Sequence, residues 1–246
     1  MLALLLCALA PAAAATAASP PGTLAQLAGA GGCASAQAPL GCTPARGLDD
    51  ARAVALSPDG TTLYAAAATP ASLTSFSVAP GNGLLQQLNL GAGCLASVAQ
   101  DGCAAARGLE GASAIAVSPD GLHVYVASAT AGAVTAFARQ PNGSLLQLAG
   151  VAGCIATTPQ NGCSTALSLG GADAIAISPD GRFVYVGATT ADSLLVFARD
   201  AASGRLTQLA GSAGCLRTNR TDCAPVTGLD GPTAIAMAPD GTSLYV

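Results

Sequence analysis

The sequence predicts an all-β protein built from tandem units of about 60 residues. Two observations carry this prediction. The tetrad at residues 57–60, Ser-Pro-Asp-Gly, recurs so that its Asp falls at positions 59, 120, 180 and 240, with Ala replacing Ser in the last copy. All four tyrosines lie five residues after that Asp, and Phe76, Phe137 and Phe197 lie seventeen residues after it. Fixed spacing of turn and aromatic residues indicates one supersecondary unit per repeat.

Each unit is predicted to contain four short strands, and the third unit shows them most clearly. Residues 174–177 alternate small and large side chains with a period of two, and residues 183–187 are mostly β-branched or aromatic. Residues 194–198 and 205–209 give the third and fourth strands, joined by a loop. No stretch has the 3.6-residue periodicity that a helix requires.

The tetrad between the first two strands predicts a tight turn. Proline presets φ at its second position, aspartate bonds its own backbone, and glycine accepts a positive φ. Turn chemistry therefore explains the recurring Asp better than a ring of metal ligands does. The recurring tyrosines and phenylalanines are interpreted as core residues between neighbouring units.

Four-stranded units in tandem are typical of β-propeller blades. We expect the repeats to occupy residues 19–246 as an incomplete arc, with three full blades and flanking strands. Residues 22–27 match an isolated fourth strand, and Val246 falls inside the second strand of a fourth unit. These two ends favour a fragment of a longer propeller, with apolar end faces left in water.

The N-terminal residues 1–18 predict a secretory signal peptide. An apolar block is followed by small residues, and Ala15-Thr16-Ala17 fits a cleavage site, although no basic residue precedes the block. No later apolar run is long enough to span a membrane. The expected location is therefore secreted, periplasmic or at the cell surface.

Eight of the nine cysteines form four close pairs, which supports export. Even numbers of cysteines at regular spacing in an exported chain favour disulfides, each closed within its own loop. A metal site is the weaker alternative, because zinc ligands usually lie closer together and the only histidine is far from every pair. The predicted bonds are Cys33 with Cys42, Cys94 with Cys103, Cys154 with Cys163, and Cys215 with Cys223.

Charge excludes one class of partner and leaves few catalytic candidates. Nine arginines against thirteen acidic residues give a net charge of -4, which argues against nucleic-acid binding. No nucleophile elbow, phosphate loop, dinucleotide fingerprint or metalloprotease motif is present, so no cofactor, metal or catalytic residue is assigned. The single histidine, His123, is interpreted as a surface residue of a strand rather than a general base.

The repeat resembles a known family. The run at residues 178–186, together with Leu195-Val196-Phe197 and Gly204-Arg205-Leu206, is similar to the repeat of secreted YVTN-type propellers and of the seven-bladed lactonase family that includes 6-phosphogluconolactonase. The resemblance implies a propeller fold and, as one possible activity, lactone hydrolysis.

One set of charged residues is predicted to line a mouth of the central channel. Asp49, Glu110 and Asp230 occupy equivalent positions just before the first strand, and Arg46 and Arg107 precede the first two by three residues. Loops entering the first strand share a face with the disulfide loops, so ligand binding is expected there, although such charges also suit solvated loops.

Two functions remain open at this stage. The first is a secreted binding or scaffold propeller that holds an unidentified protein or small molecule on the disulfide-loop face. The second is a lactonase-like hydrolase. The first is preferred because the repeat shows no unit-specific catalytic residue.

Overall fold

In the computed structural model the chain forms three six-stranded sheets in succession, here blades 1, 2 and 3. The structure describes residues 27, 32–37, 41–89, 91, 93–158, 162–218 and 223–246. The predicted signal peptide and most of the predicted leading strand lie outside these residues. The predicted all-β blade architecture is confirmed, and the arc is not closed.

The strands follow the repeat. Blade 1 contains β3 (Ala51–Leu56), β4 (Thr62–Ala67), β5 (Ser72–Val78), β6 (Leu85–Gln87), β7 (Cys94–Ala96) and β8 (Ala104–Ala105). Blade 2 contains β9 (Ala112–Val117), β10 (His123–Ser128), β11 (Ala133–Arg139), β12 (Leu145–Gln147), β13 (Cys154–Ala156) and β14 (Ser164–Thr165). Blade 3 contains β15 (Ala172–Ile177), β16 (Phe183–Ala188), β17 (Ser193–Arg199), β18 (Leu206–Gln208), β19 (Cys215–Arg217) and β20 (Ala224–Pro225).

Short strands flank the blades. A parallel pair, β1 (Ala34–Ser35) and β2 (Thr43–Pro44), precedes blade 1. An antiparallel pair, β21 (Ala236–Met237) and β22 (Leu244–Tyr245), begins a fourth unit after blade 3.

The cysteine segments belong to the sheets, whereas the sequence predicted them as part of a long connection. In blade 3, β17 pairs with β18 through residues 197–199 and with β19 through residues 193–195. The outer strand is therefore split in two, and β19 begins at Cys215 and pairs in parallel with β20. Blades 1 and 2 repeat this arrangement.

All four predicted disulfides are present, each within its own loop. The structure bonds Cys33 to Cys42, Cys94 to Cys103, Cys154 to Cys163, and Cys215 to Cys223, with Cα–Cα distances of 4.6, 4.6, 4.7 and 4.9 Å. The second cysteine of each pair lies directly before a short parallel strand; these residues are Cys42, Cys103, Cys163 and Cys223. In the chain-entropy description a ring of about ten residues stabilises the folded state by roughly 2.5–3 kcal/mol.

The tetrad forms the tight turn that the sequence predicts. In blade 3 the Ser178 hydroxyl donates to Asp180 Oδ1 over 2.6 Å, and the Gly181 N–H donates to the Ser178 carbonyl over 2.8 Å. Gly181 has a φ of +70°, which glycine adopts without strain. The hydrogen bond from Ser178, followed by those from Arg182, lowers the pKa of Asp180 to about 2.

Aromatic side chains fill the junctions between blades, as predicted. Tyr64, Tyr125, Phe137 and Phe197 are fully buried in two clusters that combine residues of adjacent blades. Tyr185, which faces the fourth unit, is only half-buried.

The arc leaves apolar surface at its first face. Val54 and Leu56 of β3 are 64% and 53% exposed. The equivalent residues of β9, Ile115 and Val117, are buried in or packed against the cluster between blades 1 and 2. The difference shows how much apolar surface one blade covers on the next.

A layer of polar contacts crosses the junction of blades 1 and 2 and the junction of blades 2 and 3, and we call it the arginine clamp. At the first junction, Arg139 at the end of β11 lies 2.8 Å from Asp59 and donates through Nε to the Tyr64 hydroxyl over 3.0 Å. That hydroxyl donates to the Gly143 carbonyl over 2.9 Å. The tetrad aspartate therefore both shapes its turn and anchors the next blade.

The second junction repeats the clamp. Arg199 lies 2.7 Å from Asp120 and donates through Nε to the Tyr125 hydroxyl over 3.0 Å. That hydroxyl donates to the Gly204 carbonyl over 2.8 Å. Burial raises the pKa of Tyr125 to about 12. The hydroxyl therefore stays protonated and remains a donor.

His123 does not lie on the surface, so the prediction for it is wrong. Its side chain is buried in the second clamp, with Nδ1 2.8 Å from Arg199 Nη2. A guanidinium has no acceptor, so Nδ1 accepts and the ring is neutral with its proton on Nε2. His123 is the first residue of β10 after the tetrad turn, and its side chain faces blade 3. The alternation of residues within β10 does not show this contact, because it depends on the neighbouring blade.

We expect Arg199→Leu to lower the free energy of unfolding by about 3 kcal/mol, because it removes the ion pair of Asp120 and the donor to the Tyr125 hydroxyl at a buried junction. Arg139→Leu should cost less, since the Arg139 and Asp59 side chains are 12% and 48% exposed against 1% and 33% at the second clamp. Urea unfolding measures both. A double-mutant cycle of Arg199→Leu with Asp120→Asn that shows no coupling would contradict the clamp.

His123 should make the second junction sensitive to acid. Burial, followed by the charge of Arg199, lowers the pKa of His123 below 6.5, while Asp120 and Asp200 oppose that shift. The unfolded chain therefore takes up a proton near pH 6.5 before the folded chain does, and stability falls as the pH drops below that value until the folded ring is protonated.

Unfolding free energies measured between pH 7 and 5 test this prediction. The control is His123→Thr, which installs the residue found at the equivalent position 62. It should remove the slope in this pH range, and an unchanged slope would place the acid-sensitive group elsewhere.

Candidate functional site

A β-bulge occurs at one point in the innermost strand of every blade. In β3, Ala51 pairs with Ala67 and Ala53 with Ala66, so Arg52 has no partner across the ladder. The same register shift leaves out Ser113 in β9 and Asp173 in β15. Bulges re-aim a side chain away from the regular alternation of a strand, and they are common beside active sites.

The bulge position is where the blades differ in chemistry. The bulged residue is Arg52, Ser113 or Asp173, and alanine flanks it on both sides in all three blades. The equivalent position in the fourth unit is Thr233. A cation, a hydroxyl and a carboxylate therefore occupy equivalent positions in the innermost strands of the three blades, and Thr233 holds the matching sequence position before β21. We call Arg52, Ser113 and Asp173 the bulge residues.

Arg52 is held by its neighbour. Its Nη2 and Nε lie 2.9 Å and 3.2 Å from Asp50 Oδ2, and its side chain is 53% exposed. Asp50 has a φ of +50°, at a position where the other units have glycine. A carboxylate in this unusual backbone conformation orients the guanidinium while leaving part of it open to solvent.

Arg52 and Asp173 interact electrostatically although blade 2 separates them. The hydrogen bond to Asp50 raises the pKa of Arg52 most, the charge of Asp50 follows, and the charge of Asp173 adds a smaller increase. Arg52 and the half-buried Asp173 thus hold equivalent positions in the innermost strands of blades 1 and 3. Ser113 lies between them in sequence and is buried, with its hydroxyl 3.1 Å from the Ala172 carbonyl.

The residues predicted from sequence are spread along the arc. Arg46 and Asp49 line one cavity of about 440 Å³ beside the first disulfide loop, together with Gln87 and Asp101. Glu110 lies half-buried just before β9. None of the four ion pairs recorded for the described residues joins two of the predicted residues.

Arg107 and Asp230 contact different parts of the fold. Arg107 Nη2 donates to the Gly150 carbonyl over 2.9 Å, so this side chain reaches the outer loop of blade 2. Asp230 lines a smaller cavity of about 210 Å³ with Pro232 and Val246. Their participation in binding stays a prediction.

The strands β6, β12 and β18, which form the first part of the split outer strand, each end in a glutamine. Its side chain binds the backbone that follows the preceding disulfide loop and so fastens that segment to the blade. Gln87 Oε1 accepts from the Arg46 N–H and its Nε2 donates to the Arg46 carbonyl, both over 3.0 Å. Gln147 binds Arg107 in the same way at 3.0 Å, and Gln208 binds Leu167 at 2.9 and 3.3 Å. We call this contact the glutamine clasp.

The clasps border crevices next to the disulfide loops. The cavity that contains Arg46 and Asp49 has a counterpart of about 370 Å³ between blades 2 and 3. Leu167 and Gln208 line the second cavity at the positions that Arg46 and Gln87 hold in the first. The disulfide-loop face therefore offers repeated concave surface.

The disulfide cysteines contribute unequally to these crevices. Cys103 lines the first and Cys215 the second. Among the described lining residues of the two crevices, Cys42, Cys163 and Cys223 do not occur. Cys163 and Cys223 are buried and Cys42 is half-buried.

Sequence reasoning missed the bulge residues and the clasps. The recurring signals were present: an Ala-x-Ala pattern with a polar centre, and a glutamine 27 or 28 residues after each of the first three tetrad aspartates. Pairing register, which shows that the polar centre is skipped, is not visible in one chain. Across the described residues, no cluster of metal-ligating side chains is found and no helix is long and apolar enough to cross a membrane.

Removing the clasp should release a disulfide segment while the blade stays folded. Gln87→Ala should speed hydrogen exchange at the Arg46 N–H and cost about 1 kcal/mol, because a pair of partly buried hydrogen bonds is lost. Gln86→Ala is the matched control, since the Gln86 side chain is exposed and neighbours the clasp. Equal exchange in both variants would show that the clasp does not hold the segment.

Comparison with known proteins confirms the resemblance to lactonase-like propellers. Residues 154–214 match the family described as lactonase, seven-bladed β-propeller. No curated protein sequence matches the chain.

Similar solved structures share the fold at low identity. A proposed 6-phosphogluconolactonase from Bacteroides uniformis is 20% identical, with a TM-score of 0.54 over 79% of this chain and 46% of its own. One from Bacteroides fragilis is 20% identical, with a TM-score of 0.51 over 78% and 43%. A protein of unknown function from Desulfotomaculum acetoxidans is 16% identical, with a TM-score of 0.52 over 79% and 48%. The chain thus spans less than half of each structure.

Proposed function

We propose that the protein is a lactonase-like hydrolase that binds its substrate at the channel end of the innermost strands. The observation that carries the proposal is the set of bulge residues: an otherwise regular repeat has Arg52 and Asp173 at equivalent bulged positions of the innermost strands, and the charge of Asp173 contributes to the raised pKa of Arg52. The family match over residues 154–214 supports the same activity. Hydrolysis needs a general base and an oxyanion donor, which are different side chains. A repeat with the same residue at this position in every unit would not supply both.

The chemistry of lactone hydrolysis suits these side chains. Water adds to the lactone carbonyl carbon, the carbonyl oxygen becomes an oxyanion, and the ring C–O bond then breaks to give a hydroxy acid. Asp173 accepts the proton of the attacking water and returns it to the departing alkoxide. Arg52, oriented by Asp50, stabilises the oxyanion.

The loop residues predicted from sequence supply substrate binding in this proposal. Asp49, Glu110 and Asp230 occupy equivalent sequence positions before the first strand of their units, and we propose that their carboxylates accept hydrogen bonds from hydroxyl groups of a sugar-acid lactone. Arg46 lines the same cavity as Asp49 and adds donors there, and Arg107 adds donors beside the Gly150 carbonyl that its Nη2 contacts. The four disulfides suit an oxidising compartment, and we propose that the protein is exported.

Hydrolysis of sugar-acid lactones by the wild-type protein, followed by acid release, tests the activity. Asp173→Asn should lower kcat about 100-fold or more, the contribution expected of a general base. Arg52→Gln should lower kcat by a similar factor through the oxyanion. Combined substitution of Asp49→Asn, Glu110→Gln and Asp230→Asn should raise KM and leave kcat within about threefold.

The variants also separate the possible sites. If the triple variant at positions 49, 110 and 230 loses kcat while Asp173→Asn keeps it, the general base is one of the three loop carboxylates and not Asp173. Unchanged kinetics in all variants would reject this end of the channel.

A binding module is the second candidate, favoured by the two matching crevices beside the disulfide loops. Disulfides there reduce the ordering cost that long loops incur on binding. This candidate would be supported over the enzyme if the wild-type protein hydrolyses no lactone but binds a ligand, and if substitution of Arg46 or Asp49 weakens that binding.

A further inference from the structure

Two hydroxyl groups bind the backbone that leads into the bulge of blade 3. The Ser113 hydroxyl of blade 2 donates to the Ala172 carbonyl over 3.1 Å. The Thr189 hydroxyl of blade 3 donates to the Gly171 carbonyl, also over 3.1 Å. Gly171 and Ala172 are the two residues directly before Asp173, so a side-chain hydroxyl binds each of the last two carbonyls before this carboxylate.

The hydrogen bond from Ser113 crosses the junction between blades 2 and 3. Ser113 is buried, and its hydroxyl also lies 3.3 Å from the Ala127 carbonyl of its own blade, which is the longer of its two contacts. The peptide bond is planar, so the Ala172 carbonyl and the Asp173 N–H lie in one plane. A bond that fixes the carbonyl therefore fixes the direction in which the backbone enters Asp173.

The hydrogen bond from the Thr189 hydroxyl is specific to blade 3. The Thr189 N–H donates to the Gly171 carbonyl over 2.8 Å, and in blade 2 the Ala129 N–H donates to the Gly111 carbonyl over 2.9 Å. The equivalent residue of blade 1 is Ala68, so only the threonine adds a hydroxyl to this backbone contact. Gly171 has a φ of +73°, and an added Cβ there would lie 2.6 Å from Thr189 Oγ1, so glycine leaves the room that this hydroxyl occupies.

The backbone is what orients Asp173. Between residues that the structure describes, no hydrogen bond or ion pair fixes the Asp173 carboxylate. Arg52, at the equivalent position of blade 1, is oriented through its side chain by Asp50. A general base must lie within hydrogen-bond reach of the proton that it accepts, so its placement has to come from the chain on either side of it.

We propose that Ser113 and Thr189 are positioning residues that direct the Asp173 carboxylate toward the attacking water, a role that rests on the lactonase function proposed above. Neither hydroxyl touches the reacting atoms. Each acts through the peptide units before Asp173, one from the neighbouring blade and one from the same blade.

Kinetics of single variants give the first test. Thr189→Ala installs the residue that blades 1 and 2 have at this position, and it should lower kcat about tenfold while KM stays within about twofold, because the general base is displaced and substrate binding is kept. Ser113→Ala should act in the same way from blade 2. Thr189→Ser keeps the hydroxyl and should restore kcat. Thr190→Ala, which removes the neighbouring exposed hydroxyl, is the matched control and should leave kcat unchanged.

Two further measurements separate positioning from general structural support. In a protein that already carries Asp173→Asn, Ser113→Ala and Thr189→Ala should change kcat by less than about twofold, because the side chain through which they act is gone. The NMR order parameter of the Asp173 N–H should fall from about 0.85 in the wild-type protein to about 0.6 in either single variant. This second measurement does not depend on activity.

The outcomes distinguish this proposal from the proposed function. Unchanged order parameters at Asp173, or an equal loss of kcat with and without the Asp173 carboxylate, would overturn the positioning role. Wild-type protein that hydrolyses no lactone, together with lowered order parameters in both variants, would reject the lactonase function while supporting the hold of the two hydroxyls on Asp173.

Discussion

The arrangement of the blades depends on an arginine that ends the third strand of one blade and binds the tetrad turn of the blade before it. Apolar burial between sheets is not directional, so aromatic packing alone tolerates sliding of one blade on another. A guanidinium has fixed donor directions, and the Asp59 carboxylate and Tyr64 hydroxyl meet those of Arg139 in only one relative position. The clamp therefore sets the angle between blades, and the aromatic cluster supplies most of the stabilisation.

A rigid repeat also explains where chemical variation is tolerated. Residues of the clamp, the tetrad turn and the aromatic core face neighbouring blades, so changing one of them disturbs a junction. The bulged residue of the innermost strand is skipped by the ladder, and a change there leaves the pairing of its alanine neighbours intact. Arginine, serine and aspartate can consequently occupy equivalent positions without altering the scaffold. The bulge is therefore the point of the innermost strand where residue type can vary without loss of ladder pairing.

Sequence alone predicted the strands, turns, disulfides and aromatic core, because each depends on local spacing or on residue type. The tetrad turn is local, and so is each cysteine pair. The clamp residue Arg139 lies 80 positions from Asp59, and their pairing needs the packing of two blades. His123 was misplaced for the same reason: its burial comes from Arg199 and the hairpin of blade 3, which no pattern within its own strand reports.

The glutamine clasp ties one repeat to the next, so a single repeat taken out of the array is incomplete. The disulfide segments of blades 1 and 2 are each part of one blade, yet their trailing residues are fastened by a glutamine of the next, as Arg107 is by Gln147 and Leu167 by Gln208. An excised single blade therefore loses a partner at each side, whichever residue is chosen as its boundary. Whole-number duplication in register restores every clasp, so expansion or contraction of such an array is expected to proceed by complete steps of about 60 residues, with the phase of the cut free to vary.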